Sequence, residues 1–354
     1  MKSVVLRNFG QGADAVDVVD APMPEPQANQ VRVRMLRSPV NPSDFNYIRG
    51  TYLDALRDLV WNRHREIPSF DPAHSMPHPM PPYVLGGEGV GIVDACGSGW
   101  LARRLKGKRV ALSSGPPNGT WQEYVVVDAT RAFPVPSNLS HDQAAGLIVN
   151  PMAVYGMLYD RFSLERGKWL MQSGAGSALA KMVIRVCRER GVRTINFVRN
   201  EKHIDALKAI GADEVVVTTG YDIADRVQEI TAGAGADYGL DCIGGHTATS
   251  MAGALGVNGH LILYGSLGGA TFELPSRALM MPCARVEGFY LGGWIGRQSL
   301  MKRVRMVRTV QRWAARGLLD VPIDRMFGLE QVYDALDAAS VSGRNGKVLL
   351  KMAD

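Results

Sequence analysis

The stretch KWLMQSGAGSALAKMVIRVCRERG, residues 168–191, decides the fold. It begins as an apolar strand, passes through a glycine-rich turn and continues with the apolar spacing of a helix. A turn of this kind directs backbone N–H groups and the helix N-terminus at a pyrophosphate. Two registers of the dinucleotide-binding fingerprint fit the turn: Gly174, Gly176 and Leu179, or the small residues Ala175, Ser177 and Ala180. We prefer the second register because of the residues that follow it.

The residue that reads the ribose of a bound dinucleotide usually stands about 20 positions further on, at the end of the next strand. Arg199 occupies that place, directly after the strand-like TINFV. An acidic residue there would accept a hydrogen bond from a 2′-hydroxyl, whereas the arginine fork donates to a 2′-phosphate. The sequence therefore predicts NADP(H) as the cofactor rather than NAD(H). Two other glycine clusters, GGEGVG (86–91) and TAGAGADYG (231–239), do not stand between a strand and a helix in that order.

The predicted secondary structure differs between the two parts of the chain. From about residue 146, strands such as TINFVR, DEVVV and GHLILYG alternate with helical segments, which indicates βαβ units and a parallel sheet. The first 145 residues are rich in strand patterns, and GKVLLKM near residue 350 reads as a strand that returns to them. We therefore expect an α/β protein with one domain at 1–145 and 292–354 and another at 146–291.

Composition excludes several classes of protein. The chain is 46% hydrophobic and 21% charged, which is typical of globular proteins. Its 354 residues are too many for one hydrophobic core, so we expect two domains. The four cysteines form no C-x-x-C pair, and there is no apolar run that would span a membrane or serve as a signal peptide. We expect a cytoplasmic chain with no membrane partner.

The net charge of +6 is concentrated in the basic segment 297–316. Apolar Leu300, Val304, Val307 and Ala314 recur there at helical spacing, which predicts an amphipathic helix. We favour a solvated basic face; the alternative is a surface for an acidic partner or a phosphate-bearing substrate. No nucleic-acid motif accompanies the charge, so we expect no nucleic-acid partner.

Beyond these patterns, the chain resembles the medium-chain dehydrogenase/reductase superfamily over nearly its whole length. Zinc enzymes of that superfamily carry a cysteine where this chain has Asn41, and a Gly-His-Glu where it has Gly86-Gly87-Glu88. The absence of a thiolate and an imidazole predicts that no metal is bound. Four segments resemble the 2-enoyl thioester reductases of the zinc-free branch: NPSD with Gly50-Thr51-Tyr52, VNPMAVYGML (149–158), RTINFVRN (193–200) and GFYLGGW (288–294). Quinone reductases of the same branch share some of them.

The resemblance implies a GroES-like catalytic domain, a doubly wound Rossmann cofactor domain and a homodimer. It implies Tyr52 as the proton donor, and it implies a cofactor site formed by Asn150, Gly176, Ser177, Ala178, Leu179, Arg199, Asn200, Tyr264, Gly265, Phe289, Leu291 and Lys347. Relatives carry a second basic residue two positions after the arginine; this chain has Glu201 there, followed by Lys202.

The implied reaction is NADPH-dependent reduction of an α,β-unsaturated thioester, with hydride to Cβ and a proton to Cα. A phenol stays protonated at neutral pH and suits the second task. From the residues alone, a structural turn residue is the better interpretation of Tyr52, and we expect Asn41, Ser43 and Asp44 to hold the NPSD segment as a turn. The alternatives are an NADPH:quinone or alkenal reductase and a non-catalytic NADPH-binding protein. The expected partners are a small-molecule substrate and an acyl carrier protein.

Residues 53–82 depart most from the resemblance, because the family has a much shorter link there. The segment begins with a helical pattern and becomes rich in proline and histidine. Long loops in compact domains are commonly functional, so we expect this one to reshape the substrate pocket. His64, His74 and His78 lack the spacing of metal ligands on one face, and we expect them at the surface.

Overall fold

The computed structural model describes residues 1–73, 76–220, 222–341 and 343–352. The strands are β1 (Lys2–Leu6), β2 (Val16–Asp20), β3 (Gln30–Val40), β4 (Tyr83–Val84), β5 (Glu88–Cys96), β6 (Arg109–Ser113), β7 (Tyr124–Asp128), β8 (Ala132–Pro134), β9 (Trp169–Gln172), β10 (Arg193–Val198), β11 (Glu214–Val217), β12 (Ala236–Asp241), β13 (Leu255–Leu263), β14 (Arg285–Gly288), β15 (Ile323–Gly328) and β16 (Lys347–Lys351).

The α-helices are α1 (Pro42–Arg49), α2 (Thr51–Arg57), α3 (Trp100–Leu105), α4 (His141–Ala145), α5 (Val149–Tyr155), α6 (Ala178–Arg190), α7 (Ile204–Ala209), α8 (Ile223–Ile230), α9 (Gly245–Gly253), α10 (Ser276–Met280), α11 (Leu291–Gly296), α12 (Leu300–Ala315) and α13 (Val332–Ser340). A π-helical turn, Gly156–Arg161, continues α5. No helix in the described part of the chain is both long enough and apolar enough to cross a membrane.

The first compact unit comprises Met1–Asn150, Val307–Ala315 and Val321–Asp354. Its main sheet has the order β15-β16-β3-β5-β6-β8, with β7 also paired to β3, and a smaller sheet has the order β2-β1-β4. Strand β3 alternates as QVRVRM, so Val31, Val33 and Met35 point into the core while the intervening polar side chains point away. Strand β16 lies between β15 and β3, which confirms that the GKVLLKM segment returns to the first unit.

The second unit comprises Pro151–Met306 and Arg316–Asp320. Its sheet has the order β11-β10-β9-β12-β13-β14, and its strand pairs are parallel. The chain runs outward from β9 through β10 to β11 and then returns to the other side of β9 with β12. Such a reversal places a ligand-binding crevice at the carboxyl ends of β9 and β12. A doubly wound parallel sheet in one unit and a strand-rich architecture in the other confirm the predicted fold class.

Two local expectations were wrong. The NPSD segment forms helix α1 rather than a turn, because Pro42 is well placed at the start of a helix and the Asp44 carboxylate accepts a hydrogen bond from the Asn41 backbone N–H at 2.8 Å. Tyr52 consequently lies in the first turn of α2. His78 is buried, with 1% of its surface exposed, whereas His64 is exposed as expected and His74 lies outside the described residues.

Helix α12 carries the predicted basic residues, but its buried side differs from the predicted one. Leu300 and Val304 are exposed, and the buried residues are Met306, Val310, Trp313 and Ala314. These four are spaced as one helical stripe and include the largest side chains of the segment, so they define the inner side better than the smaller residues do.

Candidate active site and cofactor site

A buried polar cluster lies where β3 ends, β5 begins and β16 begins. The carboxylate of Glu88 is fully buried, and its Oε1 accepts a hydrogen bond from the Asn41 amide at 3.0 Å. The Lys347 ammonium lies 3.5 Å from the same oxygen and donates to Asn41 Oδ1 at 3.2 Å. A buried carboxylate requires this kind of charged and hydrogen-bonded compensation. Lys347 therefore acts as the internal counter-ion of Glu88.

The second oxygen of Glu88 binds the start of α5. Its Oε2 accepts from the backbone N–H groups of Ile148 at 3.0 Å and Val149 at 2.8 Å. A negative charge at a helix N-terminus satisfies otherwise unpaired donors and is favoured by the helix dipole. Asn150, the residue expected near the nicotinamide, directly follows Val149. Glu88 thus fixes the backbone that carries Asn150.

Asp44 adds a second acidic group to this cluster. Burial, and to a lesser extent the nearby Glu88 carboxylate, raise the pKa of its carboxyl to about 7, against the lowering effects of the Asn41 N–H and Lys347. The Lys347 ammonium is therefore the positive charge near both buried carboxyl groups, those of Glu88 and Asp44. The proton on Asp44 removes the excess negative charge.

Tyr52 lies beside this cluster, in an aromatic setting. Its ring contacts Tyr47 edge-on at a centroid distance of 5.0 Å and Phe70 at 6.2 Å. Burial raises the pKa of the Tyr52 phenol, a hydrogen bond with Asn46 opposes the increase, and the Asp44 charge adds to it. The phenol consequently carries its proton throughout the neutral range, which is the state that a proton donor needs.

In the second unit, the glycine-rich turn after β9 is held by Asp241 at the end of β12. Asp241 is fully buried and accepts from the Ser173 hydroxyl at 2.5 Å and from the backbone N–H groups of Ile243 and Gly244. Gly174 has a φ of +57°, and a β-carbon there would lie 2.7 Å from the Cys242 sulfur. The turn therefore needs glycine at this position for both its backbone angle and its packing.

The turn leads directly into α6. The Ser177 hydroxyl accepts from the Ala180 N–H at 3.2 Å and caps the helix, while Ala175 and Ala180 are fully buried. A β-carbon on Gly176 would lie 3.2 Å from the His203 ring. Burial lowers the pKa of His203, and the charges of Lys181 and Lys202 lower it further. The pyrophosphate of a dinucleotide fits this place, because backbone N–H donors, the N-terminus of α6 and the positive charges of Lys181 and Lys202 all favour an anion.

The remaining predicted cofactor residues occupy the same edge of the sheet. Arg199 and Asn200 follow β10 and are exposed, and the Asn200 side chain accepts from the Lys202 N–H at 2.9 Å. Tyr264 follows β13; its N–H donates to the Asp241 carbonyl at 2.8 Å, and its buried hydroxyl faces the Cys242 thiol. Burial raises the pKa of that phenol well above its ordinary value, and the Cys242 thiol adds to the increase.

Gly265 follows Tyr264, and its missing side chain leaves room for the Cys242 backbone: a β-carbon would lie 2.8 Å from the Cys242 carbonyl oxygen. Phe289 follows β14 and is buried against Trp294 at a centroid distance of 5.6 Å. Leu291 begins α11.

The first unit thus contains Tyr52, Asn150 and Lys347, and the second contains the other predicted residues. Sequence reasoning missed Glu88 as a site residue, although a carboxylate that opens the apolar strand GVGIV was an available signal. Lys347 was expected to reach the cofactor, and its ammonium is hydrogen-bonded within the first unit.

The residues at the positions of a catalytic zinc provide no metal site. Asn41 contributes an amide and Gly87 contributes no side chain. Among the described residues, no group of three or more His, Cys, Asp or Glu side chains could hold a metal ion. The donor set therefore does not fit a zinc enzyme.

Comparisons with known proteins agree with this architecture. Residues 27–137 match the family model of the alcohol dehydrogenase GroES-like domain, and residues 178–307 match that of zinc-binding dehydrogenases. A mitochondrial enoyl-[acyl-carrier-protein] reductase of Caenorhabditis elegans is 31% identical over 89% of this chain and 84% of its own length. The human protein of that name is 27% identical over 99% and 89%.

Solved structures are similar over the whole chain. A protein named as an NADPH:quinone reductase, from Bacillus thuringiensis, superposes with a TM-score of 0.86 at 29% identity and covers 99% of both chains. The Escherichia coli quinone oxidoreductase complexed with NADPH has a TM-score of 0.85 at 20% identity, covering 99% of this chain and all of its own. The protein therefore belongs to the medium-chain dehydrogenase/reductase family of oxidoreductases, in the zinc-independent branch that also contains enoyl-acyl-carrier-protein reductases and quinone oxidoreductases.

Proposed function

We propose that this protein uses NADPH to reduce an activated carbon–carbon double bond, and that its substrate is a 2-enoyl thioester. The observation that carries the proposal is the partly buried, protonated phenol of Tyr52, close to Asp44 in the cluster of Asn41, Glu88 and Lys347 that fixes the start of α5. Relatives named as enoyl-[acyl-carrier-protein] reductases support the substrate class. NADP(H) is supported by Arg199 after β10 and by a structural neighbour named for NADPH.

When bound, NADPH supplies a hydride to Cβ of the substrate. The protein's own residues do the rest. Tyr52 holds a proton at its phenolic oxygen for delivery to Cα, and a positioned acid of this kind contributes about 10²–10⁴-fold to a rate. Glu88 orients the backbone at Asn150, so that this side chain is presented in one position. Ser177 and the α6 N-terminus would hold the pyrophosphate, and Arg199 with Asn200 would hold the 2′-phosphate.

Replacing Tyr52 with phenylalanine tests the proposal. We expect Y52F to lose at least about 100-fold in kcat for crotonyl thioester, with the KM for NADPH nearly unchanged, since only the proton donor is removed. Y159F is the matched control, because Tyr159 is a partly exposed phenol that is stacked on Tyr155 in the second unit. Full turnover by Y52F would reject Tyr52 as the donor.

The second candidate is an NADPH:quinone or alkenal reductase, favoured by the structural neighbours with that name. Hydride transfer to a quinone needs no dedicated proton donor. Comparable quinone turnover by Y52F and the unmodified protein, with no turnover of enoyl thioesters by either, would select this function. An absence of NADPH oxidation with every enoyl thioester, enal and quinone tested would instead indicate a non-catalytic NADPH-binding protein.

We also propose a homodimer that pairs the β14 strands of two copies. Strand β14 is at the end of the parallel sheet, and an unpaired edge tends to be covered. The neighbouring residues Val257, Met280 and Met281 expose large apolar side chains, as a buried interface would require. Light scattering that finds only the monomer mass at micromolar concentration would contradict this assembly.

A further inference from the structure

The imidazole of His78 is an anomaly inside the first unit. Its side chain is buried, and among the described residues its ring nitrogens make no hydrogen bond of full geometry, with only a weak interaction with the Pro79 backbone. A buried polar group without a partner costs about 1–3 kcal/mol, so its retention needs an explanation. Burial also lowers the pKa of His78, which keeps the imidazole neutral. A neutral imidazole offers one donor and one acceptor.

Aromatic rings surround this imidazole and connect it to the proposed proton donor. The ring of His78 lies 5.5 Å from that of Phe70, 5.9 Å from that of Tyr47 and 6.3 Å from that of Phe9. Tyr47 and Phe70 also contact Tyr52. The rings of Tyr47 and Phe70 therefore each lie between His78 and Tyr52.

The backbone that presents His78 is held by specific hydrogen bonds. The Asn62 side chain donates to the carbonyls of Leu56 and Ser69 and accepts from the Ser69 N–H at 2.8 Å. Further along, the His78 N–H donates to the Pro68 carbonyl at 2.7 Å and the Phe70 N–H to the Met76 carbonyl at 3.0 Å. This segment, described at residues 62–73 and 76–78, is hereafter the His78 lobe. Because these hydrogen bonds hold the backbone at His78 and before it, the buried position of the imidazole is a specific feature of the fold.

The lobe also has an unusual distribution of polarity. It buries the imidazole while Trp61 at its base and Ile67 and Met76 within it expose large apolar side chains. Buried polar groups and grouped exposed apolar ones are both features that point to a binding surface.

We propose that the His78 lobe recognises the substituent of the enoyl substrate and selects a planar aryl group that carries a hydroxyl, hydrogen-bonded to His78, over a saturated alkyl chain. This inference rests on the proposed function and names its substrate class. The rings of Tyr47 and Phe70 pack well against a flat aryl group. The imidazole supplies the donor and acceptor that a phenolic hydroxyl needs. The reaction is unchanged: the hydride adds to Cβ, the proton from Tyr52 adds to Cα, and NADP⁺ is released.

Three thioesters of the same short pantetheine mimic test the inference: 4-coumaroyl, cinnamoyl and trans-2-hexenoyl. The first two differ by one hydroxyl, so the change in their ratio of kcat/KM between the unmodified protein and a His78 variant reports on the hydrogen bond. We expect the unmodified protein to prefer 4-coumaroyl over cinnamoyl by at least about 10-fold, since a site built to bind a hydroxyl discriminates against its absence. We expect H78F to abolish that preference while it retains cinnamoyl turnover.

The matched control is H64F, the same substitution at an exposed histidine of the same segment, which should leave all three ratios unchanged. H78N keeps an amide near one ring nitrogen and should restore part of the preference; it also replaces H78F if that variant fails to fold. Equal coumaroyl-to-cinnamoyl ratios in the unmodified protein and H78F would overturn the inference.

Binding measurements separate this inference from the proposed function. Calorimetric titration with the saturated 4-hydroxyphenylpropionyl and phenylpropionyl thioesters requires no turnover. At least about 10-fold tighter binding of the hydroxylated ligand, lost in H78F, supports the His78 lobe even if no enoyl thioester is reduced. Turnover of trans-2-hexenoyl thioester without any hydroxyl preference in either assay supports the proposed function and rejects the inference.

Discussion

Lys347 and Glu88 form a buried ion pair, with 3.5 Å between Nζ and Oε1 and side chains that are 9% and 0% exposed. The pair joins the first residue of β16 to the first residue of β5. Both groups share Asn41 as a hydrogen-bonding partner. The pair therefore fixes three segments of the first unit and, through Glu88, the start of α5.

Replacing Lys347 with methionine should be strongly destabilising. It leaves the Glu88 carboxylate buried without its counter-ion, and breaking a buried pair in this way costs about 3–5 kcal/mol. Urea unfolding measures the change. Adding Glu88→Gln to K347M should recover part of the loss, because the stranded charge is then removed. K168M is the control: the Lys168–Asp237 pair is more exposed, so its loss should change stability far less than the loss of Lys347.

Asp44 should make stability fall as the pH rises. Its folded-state pKa of about 7 lies above the ordinary value of 3.8, so the folded state binds more protons than the unfolded state between these values. The contribution of protonated Asp44 to the free energy of unfolding is fully present below about pH 4. It decreases as the pH rises and is lost by about pH 7. The loss is at most about 4 kcal/mol, at 1.36 kcal/mol per pKa unit. Urea midpoints from pH 5 to 8 should show this slope, and D44N should flatten it.

Arg199 should set the cofactor preference. Removing its guanidinium in R199A removes a charge-assisted partner of the 2′-phosphate and should raise the KM for NADPH by about 10- to 100-fold, while the KM for NADH changes little. Initial rates with each cofactor give the comparison. R193A is a suitable control, because Arg193 is exposed at the other end of β10 and donates to the Gly167 carbonyl. An equal rise for both cofactors would place Arg199 outside the 2′-phosphate site.

Asn62 should determine how firmly the His78 lobe is held. N62A removes the hydrogen bonds to Leu56 and Ser69 and leaves the buried Ser69 N–H unpaired. We expect faster trypsin cleavage at Arg63 and Arg65, both exposed, with a fall in stability of about 1–3 kcal/mol. Mass spectrometry of the early fragments locates the cuts. Cleavage at the unmodified rate would mean that other contacts suffice to order the lobe.

Local sequence patterns were sufficient to predict the strands, helices and parallel sheet of the second unit. The strand, turn and helix around Ser173–Ala180 follow from periodicity and glycine placement within a few residues of one another, and a parallel sheet follows from their repetition. The same patterns place Arg199 at the carboxyl end of β10. Each of these inferences depends on contacts that are close in sequence.

The buried polar groups of the first unit could not be predicted in this way. His78 is buried by Phe9 and Tyr47, which lie far from it in the chain, so its proline-rich surroundings suggested a surface loop. Glu88 and Lys347 are charged residues whose burial depends on their pairing, and they are 259 positions apart. The expectation of a turn at NPSD was wrong for a local reason. The hydrogen bond from the Asn41 backbone N–H to the Asp44 carboxylate caps the start of a helix.

The place of β16 in its sheet also governs how the protein is made. Because β16 lies between β15 and β3, the sheet of the first unit stays incomplete on the ribosome until residues 347–351 have been synthesised. The parallel sheet of the second unit, whose strands fall within residues 169–288, can close long before that. Contacts over 306 residues slow folding, because a long loop must be ordered first. The nascent chain should therefore gain its nucleotide-binding half first, and pulse proteolysis of stalled chains would reveal the interval in which the other half stays cleavable.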